Sequence, residues 1–240
     1  MKIIVNGALG RMGRALTALI ADAPGCELAA AVDRSGAEGA LSRIADAPAA
    51  DVLIDFSHHS AAPELIDFAE ARGMAVVMAT TGHDEAELAR IRAAAAHVPV
   101  FLSGNMSLGV ALLCRMARDA ARLFPEADIE IVEIHHRHKA DAPSGTAKML
   151  FHAVADARPG ARMVCGRSGM GAREREEVGV HSLRMGEVVG VHEVHVSTPS
   201  QSLVLRHEAH SRALFAEGAL CAAEFVVSQA PGLYDMRSLL

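Results

Sequence analysis

The first 34 residues constrain the fold most strongly, because they have the pattern of a β-strand, a glycine-rich turn, a helix and a second strand. The apolar run Lys2 to Asn6 passes directly into the turn Gly7-Ala8-Leu9-Gly10-Arg11-Met12-Gly13. Apolar residues then recur at helical spacing as far as Pro24-Gly25, and Glu27 to Val32 forms the next β-run. This order predicts a βαβ unit with parallel strands.

The glycine turn indicates a dinucleotide-binding site. Its pattern is GxxGxxG, which differs by one position from the usual GxGxxG fingerprint, so glycines that serve only the turn are an open alternative. The context favours the nucleotide, because Asp33 follows the second strand at the position where a carboxylate binds a ribose 2′-hydroxyl. We therefore expect the backbone amides of Gly10 to Met12 to hold a pyrophosphate.

Asp33 and Arg34 favour different cofactors. A carboxylate at this position accepts hydrogen bonds from the ribose of NADH and repels the 2′-phosphate of NADPH, whereas a neighbouring guanidinium attracts that phosphate. The pair predicts use of both cofactors, with NADH at least as good.

Strands and helices continue to alternate up to Leu102, which predicts a Rossmann-like, doubly wound parallel sheet. Further strands are predicted at Asp51 to Phe56, Met74 to Met78 and Val98 to Leu102, with a loop from Ser35 to Ala50 that holds at most a helical turn. Ligands collect beyond the carboxyl ends of such strands. The loops Ala79 to Gly82 and Ser103 to Met106 are therefore expected to border the cofactor, with ordinary turns as the alternative, and His58 and His59 are interpreted as solvated.

The pattern changes after Leu108, where a helix precedes a series of β-runs. We predict a smaller α+β domain with a mixed, open sheet at residues 107–231, after a first domain at 1–106 to which the tail 232–240 could return. Its strands are predicted at Asp128 to His136, Arg162 to Cys165, Gly179 to Arg184, Val188 to Val196 and Ser202 to Ala209, and a helix from Ser211 to Ser228 closes it.

The stretch from Glu133 to Ala147, E-I-H-H-R-H-K-A-D-A-P-S-G-T-A, combines an anion site with proton donors. Ser144-Gly145-Thr146 has the pattern of a helix start, whose free N–H groups and positive dipole suit a carboxylate or phosphate, and Lys139 adds a positive charge. The alternative is that Thr146 only caps its own helix and the histidines lie on a solvated strand end. A zinc site at His136 and His138 is also open if the strand continues through them.

Composition excludes several classes of function. The chain has 240 residues, 51% of them hydrophobic, and a net charge of −6, which argues against a nucleic-acid partner held by bulk charge. The four cysteines lie far apart, as expected for free thiols in a reducing compartment. No segment has the pattern of a signal peptide or a membrane span, so we expect a cytoplasmic protein without a membrane partner.

Five motifs together resemble the 4-hydroxy-tetrahydrodipicolinate reductases (dihydrodipicolinate reductases) of lysine and diaminopimelate biosynthesis. They are G-A-L-G-R-M-G, A-T-T-G, the turn at Asn105, E-I-H-H-R-H-K-A-D-A-P-S-G-T-A and S-R-A-L-F-A-E-G-A. The resemblance covers nearly the whole chain. It implies an NAD(P)H-dependent enzyme that reduces 4-hydroxy-tetrahydrodipicolinate, via dihydrodipicolinate, to tetrahydrodipicolinate, without a metal. It also implies a dinucleotide-binding domain followed by a substrate-binding domain that forms a homotetramer.

The resemblance also assigns roles to individual residues. His135 matches the proton donor/acceptor of the family, and Lys139 matches its second proton donor. His136, Gly145 and Thr146 match substrate-binding positions, to which the helix start adds Ser144. The segments that match cofactor-binding positions are Gly7, Ala8, Leu9, Gly10, Arg11, Met12, Asp33, Arg34, Ala79, Thr80, Thr81, Ser103, Gly104, Asn105 and Met106.

Two features depart from the family pattern. The segment between Arg34 and Asp51 is shorter than is usual, and Ala79 stands where the family has glycine. Two other functions stay open at this point: another NAD(P)-dependent reductase on the same plan, such as an amino-acid or semialdehyde dehydrogenase, and a sensor that binds NADH without consuming it.

Overall fold

Eleven β-strands and six α-helices are divided between two units of the chain. The computed structural model describes residues 1–240; unit 1 comprises Met1–Leu108 with Arg212–Leu240, and unit 2 comprises Gly109–Ser211. The first elements are β1 (Lys2–Asn6), α1 (Arg11–Asp22), β2 (Glu27–Val32), β3 (Val52–Asp55), α2 (Ala62–Glu70), β4 (Ala75–Met78), α3 (Glu85–Ala94) and β5 (Pro99–Leu102). They are followed by α4 (Leu108–Leu123), β6 (Asp128–His135), α5 (Gly145–Ala157), β7 (Arg162–Cys165), β8 (Glu177–Arg184), β9 (Gly190–Thr198), β10 (Gln201–Ala209), α6 (Ala213–Val226) and β11 (Gly232–Tyr234).

Unit 1 is built on a six-stranded parallel sheet in the order β11-β5-β4-β3-β1-β2. Every residue of β3 and β4 is buried, as expected for strands covered on both faces. Strand β1 lies between β2 and β3, so β2 is added on one side of β1 and the later strands are added on the other side. The predicted doubly wound sheet is therefore confirmed.

Helix α6 belongs to unit 1, which corrects the predicted assignment of residues up to 231 to the second domain. It packs against α1 and β4 through small buried residues, and a Cβ atom at Gly218 would lie 1.7 Å from the carbonyl oxygen of Met106. Such a close approach is possible only for glycine. The tail returns as the sequence suggested, because β11 pairs in parallel with β5.

Three local features of unit 1 concern helix starts and turns. Helix α2 begins at Ala62, after a 3₁₀ turn at His59–Ala61. Asp84 and Glu87 form a capping box at the start of α3, in which each side chain accepts a hydrogen bond from the other's backbone N–H. The loop after Arg34 contains two 3₁₀ turns, at Ala37–Gly39 and Ile44–Asp46.

Unit 2 is built on a mixed five-stranded sheet in the order β10-β9-β6-β8-β7. Residues of α4 and α5, such as Leu113 and Leu150, form a core with Ile129, Ile131 and other residues on one sheet face. Burial alternates along β6, so the opposite face carries the less buried residues. Unit 2 therefore has the predicted mixed sheet, with one face less buried than the other. No helix of the structure is long and apolar enough to cross a bilayer.

Strand β6 ends at His135, not at His136 as predicted. His136 and His138 therefore lie in the loop to α5, where their ring centroids are 6.1 Å apart, and the i, i+2 spacing on one strand face does not apply to them. The zinc alternative depended on that spacing. No group of three potential metal-binding side chains is present anywhere in the structure.

Candidate active site

A cavity of about 640 Å³ lies in unit 1 where the strand order reverses. Its walls come from the ends of β1, β2 and β3 and from the loops that follow them. Ligands of open parallel sheets bind at this position. The cavity is lined by Asn6, Gly7, Gly10, Val32, Asp33, Arg34, Ser42, Arg43, Ile44, Phe56, Ser57, His58, Ser60, Ala61, Glu64 and Leu65.

The glycine turn brings backbone close to backbone. Gly7 has a φ of +75°, and a Cβ atom there would lie 2.8 Å from the backbone nitrogen of Ser57. A Cβ atom at Gly13 would lie 2.1 Å from the carbonyl oxygen of Gly7. Helix α1 begins at Arg11, within this turn, and has no acidic residue in its first turn, so its free N–H groups point to an anion site. The turn thus fits a dinucleotide pyrophosphate, while Gly7 and Gly13 also have a steric role.

Asp33 holds the glycine turn against the end of β2. Its carboxylate accepts hydrogen bonds from the backbone N–H and hydroxyl of Ser35 (3.1 and 2.8 Å) and from the N–H of Leu9 (3.3 Å). The hydrogen bonds from Ser35, followed by that from Leu9, lower the pKa of Asp33. Asp33 is therefore charged at neutral pH and lies in the same cavity as two guanidinium groups, Arg34 and Arg43.

A second buried carboxylate, Asp55, connects the loops at the carboxyl edge of the sheet. It is fully buried and accepts hydrogen bonds from the Asn6 amide (2.8 Å), from the hydroxyl and N–H of Ser57 (2.6 and 3.0 Å) and from the Thr80 hydroxyl (3.4 Å). Burial raises the pKa of Asp55, and these donors oppose that shift. The loops after β1, β3 and β4 are thereby fixed relative to one another.

The two other predicted cofactor loops contact each other but do not line this cavity. A Cβ atom at Gly104 would lie 3.1 Å from Cγ2 of Thr81, and the Ser103 hydroxyl donates to the carbonyl oxygen of Asn105 at 2.8 Å. Met106 is buried beneath them. Ala79 has no positive φ, so its methyl group causes no backbone strain.

Part of the cavity wall consists of residues that were not predicted to lie there. His58 was interpreted as merely solvated, yet it lines the cavity, as do Ser42 and Arg43 from the poorly patterned loop after β2. Asp55 could have been noticed as a charged residue at the end of an otherwise apolar, buried strand. The sequence contains no signal for Arg43.

In unit 2, the end of β6 carries a buried imidazole–carboxylate pair. His135 Nδ1 lies 2.5 Å from Oε2 of Glu133, which is fully buried. Burial would raise the pKa of Glu133, but hydrogen bonds from Arg184, Ser182 and His135 outweigh it and lower the pKa to about 2. Because Glu133 is ionised, Nδ1 of His135 must carry a proton, and Nε2 is the nitrogen that can exchange one.

Arg184, on the neighbouring strand β8, completes this pair. Its Nη1 and Nη2 atoms donate to the two oxygens of Glu133 at 2.9 and 2.8 Å. The same guanidinium donates to the carbonyl oxygens of Lys139 (3.3 Å) and Asp141 (2.6 Å). Arg184 therefore joins the end of β6 to the loop that carries Lys139.

The Lys139 ammonium is held at the edge of this site. It lies 2.8 Å from Oδ1 of Asp141, and its side chain is 22% exposed. The hydrogen bond from Lys139 lowers the pKa of Asp141. In the same loop Nδ1 of His136 is buried without a hydrogen-bond partner, whereas His138 is exposed and lies 3.6 Å from Glu187.

The start of α5 is capped by Ser144 and not by Thr146. The Ser144 hydroxyl accepts a hydrogen bond from the N–H of Ala147 at 3.2 Å, and its own N–H donates to Oε1 of Glu133 at 3.1 Å. Ser144 is thus buried beneath the helix start. Gly145 is exposed, and nothing lies within 4 Å of a Cβ atom built on it, so the helix start has open space at Gly145 where an anion can approach.

His192, which the sequence analysis did not single out, lies behind these groups. Its Nε2 atom is 3.1 Å from the Ser144 hydroxyl, and its ring centroid is 5.1 Å from that of His135. Burial, followed by the charge of His135, lowers the pKa of His192 to about 3, so it is neutral at physiological pH.

These features define a class of protein: a nucleotide-dependent oxidoreductase with a Rossmann-like unit and an α+β unit that carries an imidazole–carboxylate pair beside an anion site. Residues 1–106 match the family described as dihydrodipicolinate reductase, N-terminus, and residues 109–240 match its C-terminus. The chain belongs to the dihydrodipicolinate reductase family.

Individual relatives are similar over their full length. The 4-hydroxy-tetrahydrodipicolinate reductase of Caldanaerobacter subterraneus subsp. tengcongensis is 40% identical, over 100% of this chain and 98% of the relative. That of Thiobacillus denitrificans is 42% identical over the same shares. A dipicolinate-bound dihydrodipicolinate reductase from Paenisporosarcina sp. TG-14 has the same fold, with a TM-score of 0.83, 23% identity and coverage of 100% and 99% of the two chains.

Proposed function

We propose that this chain reduces 4-hydroxy-tetrahydrodipicolinate, by way of dihydrodipicolinate, to tetrahydrodipicolinate with NAD(P)H, in the diaminopimelate route to lysine. One observation carries the proposal: Glu133 binds both Nδ1 of His135 and the N–H of Ser144. An acid–base group is thereby held beside a helix start that a carboxylate can approach at Gly145. Family membership and relatives of the same name over the full chain support this reaction.

The residues of unit 1 fit the cofactor. The first-turn amides of α1 and the glycine turn suit its pyrophosphate, and Asp33 suits a ribose hydroxyl. Arg34 and Arg43 add positive charge to the same cavity, which suits a 2′-phosphate. The chain therefore uses both NADH and NADPH, with NADH at least as good. The bound cofactor supplies a hydride.

The residues of unit 2 hold the dicarboxylate and provide the proton. The amides of Gly145 and Thr146 bind one ring carboxylate, and His136 and Lys139 provide polar and cationic contacts beside them. Reduction of a conjugated cyclic imine requires a proton at one atom and a hydride at another. His135, through Nε2, and Lys139, through its ammonium, are the two groups that deliver the proton. Ser144 supports the helix start from below.

We further propose that unit 2 assembles four copies of the chain in the cytoplasm through the open face of its sheet. That face exposes apolar side chains such as Leu183 (40%) and Val204 (50%) beside charged ones, whereas α4 and α5 cover the opposite face. Native mass spectrometry tests the assembly. A mass of four chains, lost on Val204→Asp, is expected; a monomer in the native protein would contradict it.

The reaction is tested by supplying the unstable substrate in place, from pyruvate and aspartate semialdehyde with a dihydrodipicolinate synthase, and following NADH oxidation. Rapid oxidation by the native chain and a large loss in Lys139→Ala are expected. If NADH binds and is not consumed, the function is that of another reductase or of a sensor.

A further inference from the structure

We propose that Glu133 and Arg184 form a positioning clamp that holds His135, the Lys139 loop and the start of α5 in one reactive arrangement, without touching the substrate. This inference rests on the proposed function. It assigns a role to two residues that lie beneath the groups that bind or protonate the substrate.

The clamp is defined by its hydrogen bonds. Glu133 has no exposed surface. Its two oxygens accept hydrogen bonds from Nδ1 of His135, from the N–H of Ser144 and from both terminal nitrogens of Arg184. A buried carboxylate with this many donors is fixed in orientation. The donors come from three segments, namely β6, the helix start and β8.

Arg184 connects the clamp to the loop that carries Lys139. The carbonyl oxygens of Lys139 and Asp141 accept hydrogen bonds from the same guanidinium that binds Glu133. Only a planar group with several donors can bind a carboxylate in bidentate fashion and also reach two carbonyl groups. The backbone of Lys139 is therefore tied to the carboxylate that orients His135.

The clamp also determines which nitrogen of His135 takes part in proton transfer. The carboxylate keeps a proton on Nδ1, so Nε2 exchanges the proton with the substrate. A Cβ atom at Gly190 would lie 3.1 Å from Nε2, so the glycine at the start of β9 leaves space beside that atom. The other titratable groups around His135 are Lys139, Arg184 and the neutral His192.

A buried ion pair is not in itself a sign of stability, because an apolar pair of similar volume is often as stable. The positions of the partners are more informative. Glu133 has four donor residues, and two of them are His135 and Ser144. These two belong to segments that carry proposed proton-donating or substrate-binding residues. This arrangement favours positioning over general support of the fold.

The decisive variant is Glu133→Gln, which keeps the shape and removes the charge. We expect kcat to fall roughly 100-fold with a much smaller change in the Kd for NADH. Removing the anion disfavours the imidazolium, so the limb of the kcat/KM profile that belongs to His135 should move to lower pH by about one unit or more. Arg184→Lys keeps the charge, but it cannot make all four contacts, and should lower kcat roughly 10-fold.

A second readout does not depend on turnover. In protein labelled with ¹⁵N in its histidines, the imidazole signals of neutral His135 should show a proton on Nδ1 in the native chain and a mixture of tautomers in Glu133→Gln. A native His135 with its proton on Nε2 would overturn the clamp even if the protein were inactive with the supplied substrate.

The matched control is Glu130→Gln. Glu130 lies on the same strand and also binds an arginine and a histidine, Arg173 and His181, but on the opposite face. Near-native kcat is expected there, with the assembly checked by native mass. Equal losses in both variants, or native kcat and an unmoved pH profile in Glu133→Gln, would overturn the proposal while the reductase function stands. An inactive native chain would instead overturn the function.

Discussion

The hydroxyl oxygen of Ser144 lies 3.1 Å from Nε2 of His192, although the two residues are 48 positions apart in the chain. The contact joins the N-terminal cap of α5 to strand β9 of the sheet beneath it. Because both side chains are buried, neither can turn to water if the other is removed.

This contact predicts the behaviour of His192→Phe. The variant leaves the buried Ser144 hydroxyl without one partner, so the free energy of unfolding should fall by about 1–3 kcal/mol. The KM for the substrate should rise several-fold as the helix start loosens. Urea unfolding and substrate titration measure the two effects. In a double-mutant cycle with Ser144→Ala, strictly additive losses would show that the contact contributes nothing.

His135→Ala and Lys139→Ala should each lower kcat by roughly 10²–10⁴-fold, because each removes a group that delivers a proton. The Kd for NADH, measured by fluorescence, should stay near the native value, since neither residue lies in unit 1. His138→Ala is the control: it removes an exposed imidazole of the same loop, which lies beside Glu187, and should leave kcat unchanged. Native turnover in both test variants would refute the assignment.

Cofactor choice should depend on the guanidinium groups of the cavity. Arg34→Ala and Arg43→Ala should each lower kcat/KM for NADPH, by roughly 10–100-fold for a lost charge-assisted hydrogen bond, with little change for NADH. Arg14→Ala is the matched control, because Arg14 pairs with Glu38 and does not line the cavity. Equal losses for both cofactors would contradict a 2′-phosphate site.

Acid stability should report on Glu133. Its pKa in the folded chain is about 2, below the ordinary value of 4.5, so its stabilising effect is fully present above pH 4.5 and is lost as the pH falls through 2. The shift corresponds to about 3 kcal/mol. The difference in free energy of unfolding between the native chain and Glu133→Gln, followed by urea from pH 7 to pH 2.5, should therefore shrink in acid. A constant difference would contradict the low pKa.

The glycine turn predicts a contrast between two substitutions. Gly13→Ala places a methyl group against the carbonyl oxygen of Gly7, so it should destabilise unit 1 by about 1–3 kcal/mol and weaken NADH binding. Gly171→Ala is the control, because nothing lies within 4 Å of its added Cβ atom. Thermal unfolding with and without NADH measures both. Equal melting temperatures in the two variants would show that the turn tolerates a side chain.

Local patterns in the sequence were sufficient to predict the parallel sheet of unit 1 and the helix start at Ser144. They were less reliable where a boundary or a partner depends on distant residues. Strand β6 ended one residue earlier than predicted, which removed the geometric basis of the zinc alternative. Helix α6 was assigned to the wrong unit, because an apolar helix near the end of a chain carries no local sign of the surface that it covers.

The sequence by itself determined the periodic elements, the glycine turn and the residues that carry the chemistry, because strand and helix periods, turns and caps are encoded by neighbours in the chain. Only the tertiary structure decided that Arg184 binds Glu133 across 51 residues, that His192 supports Ser144, and that Arg43 joins the cavity. Strand register and loop placement bring these groups together. Both result from the packing of the whole chain, which no local pattern specifies.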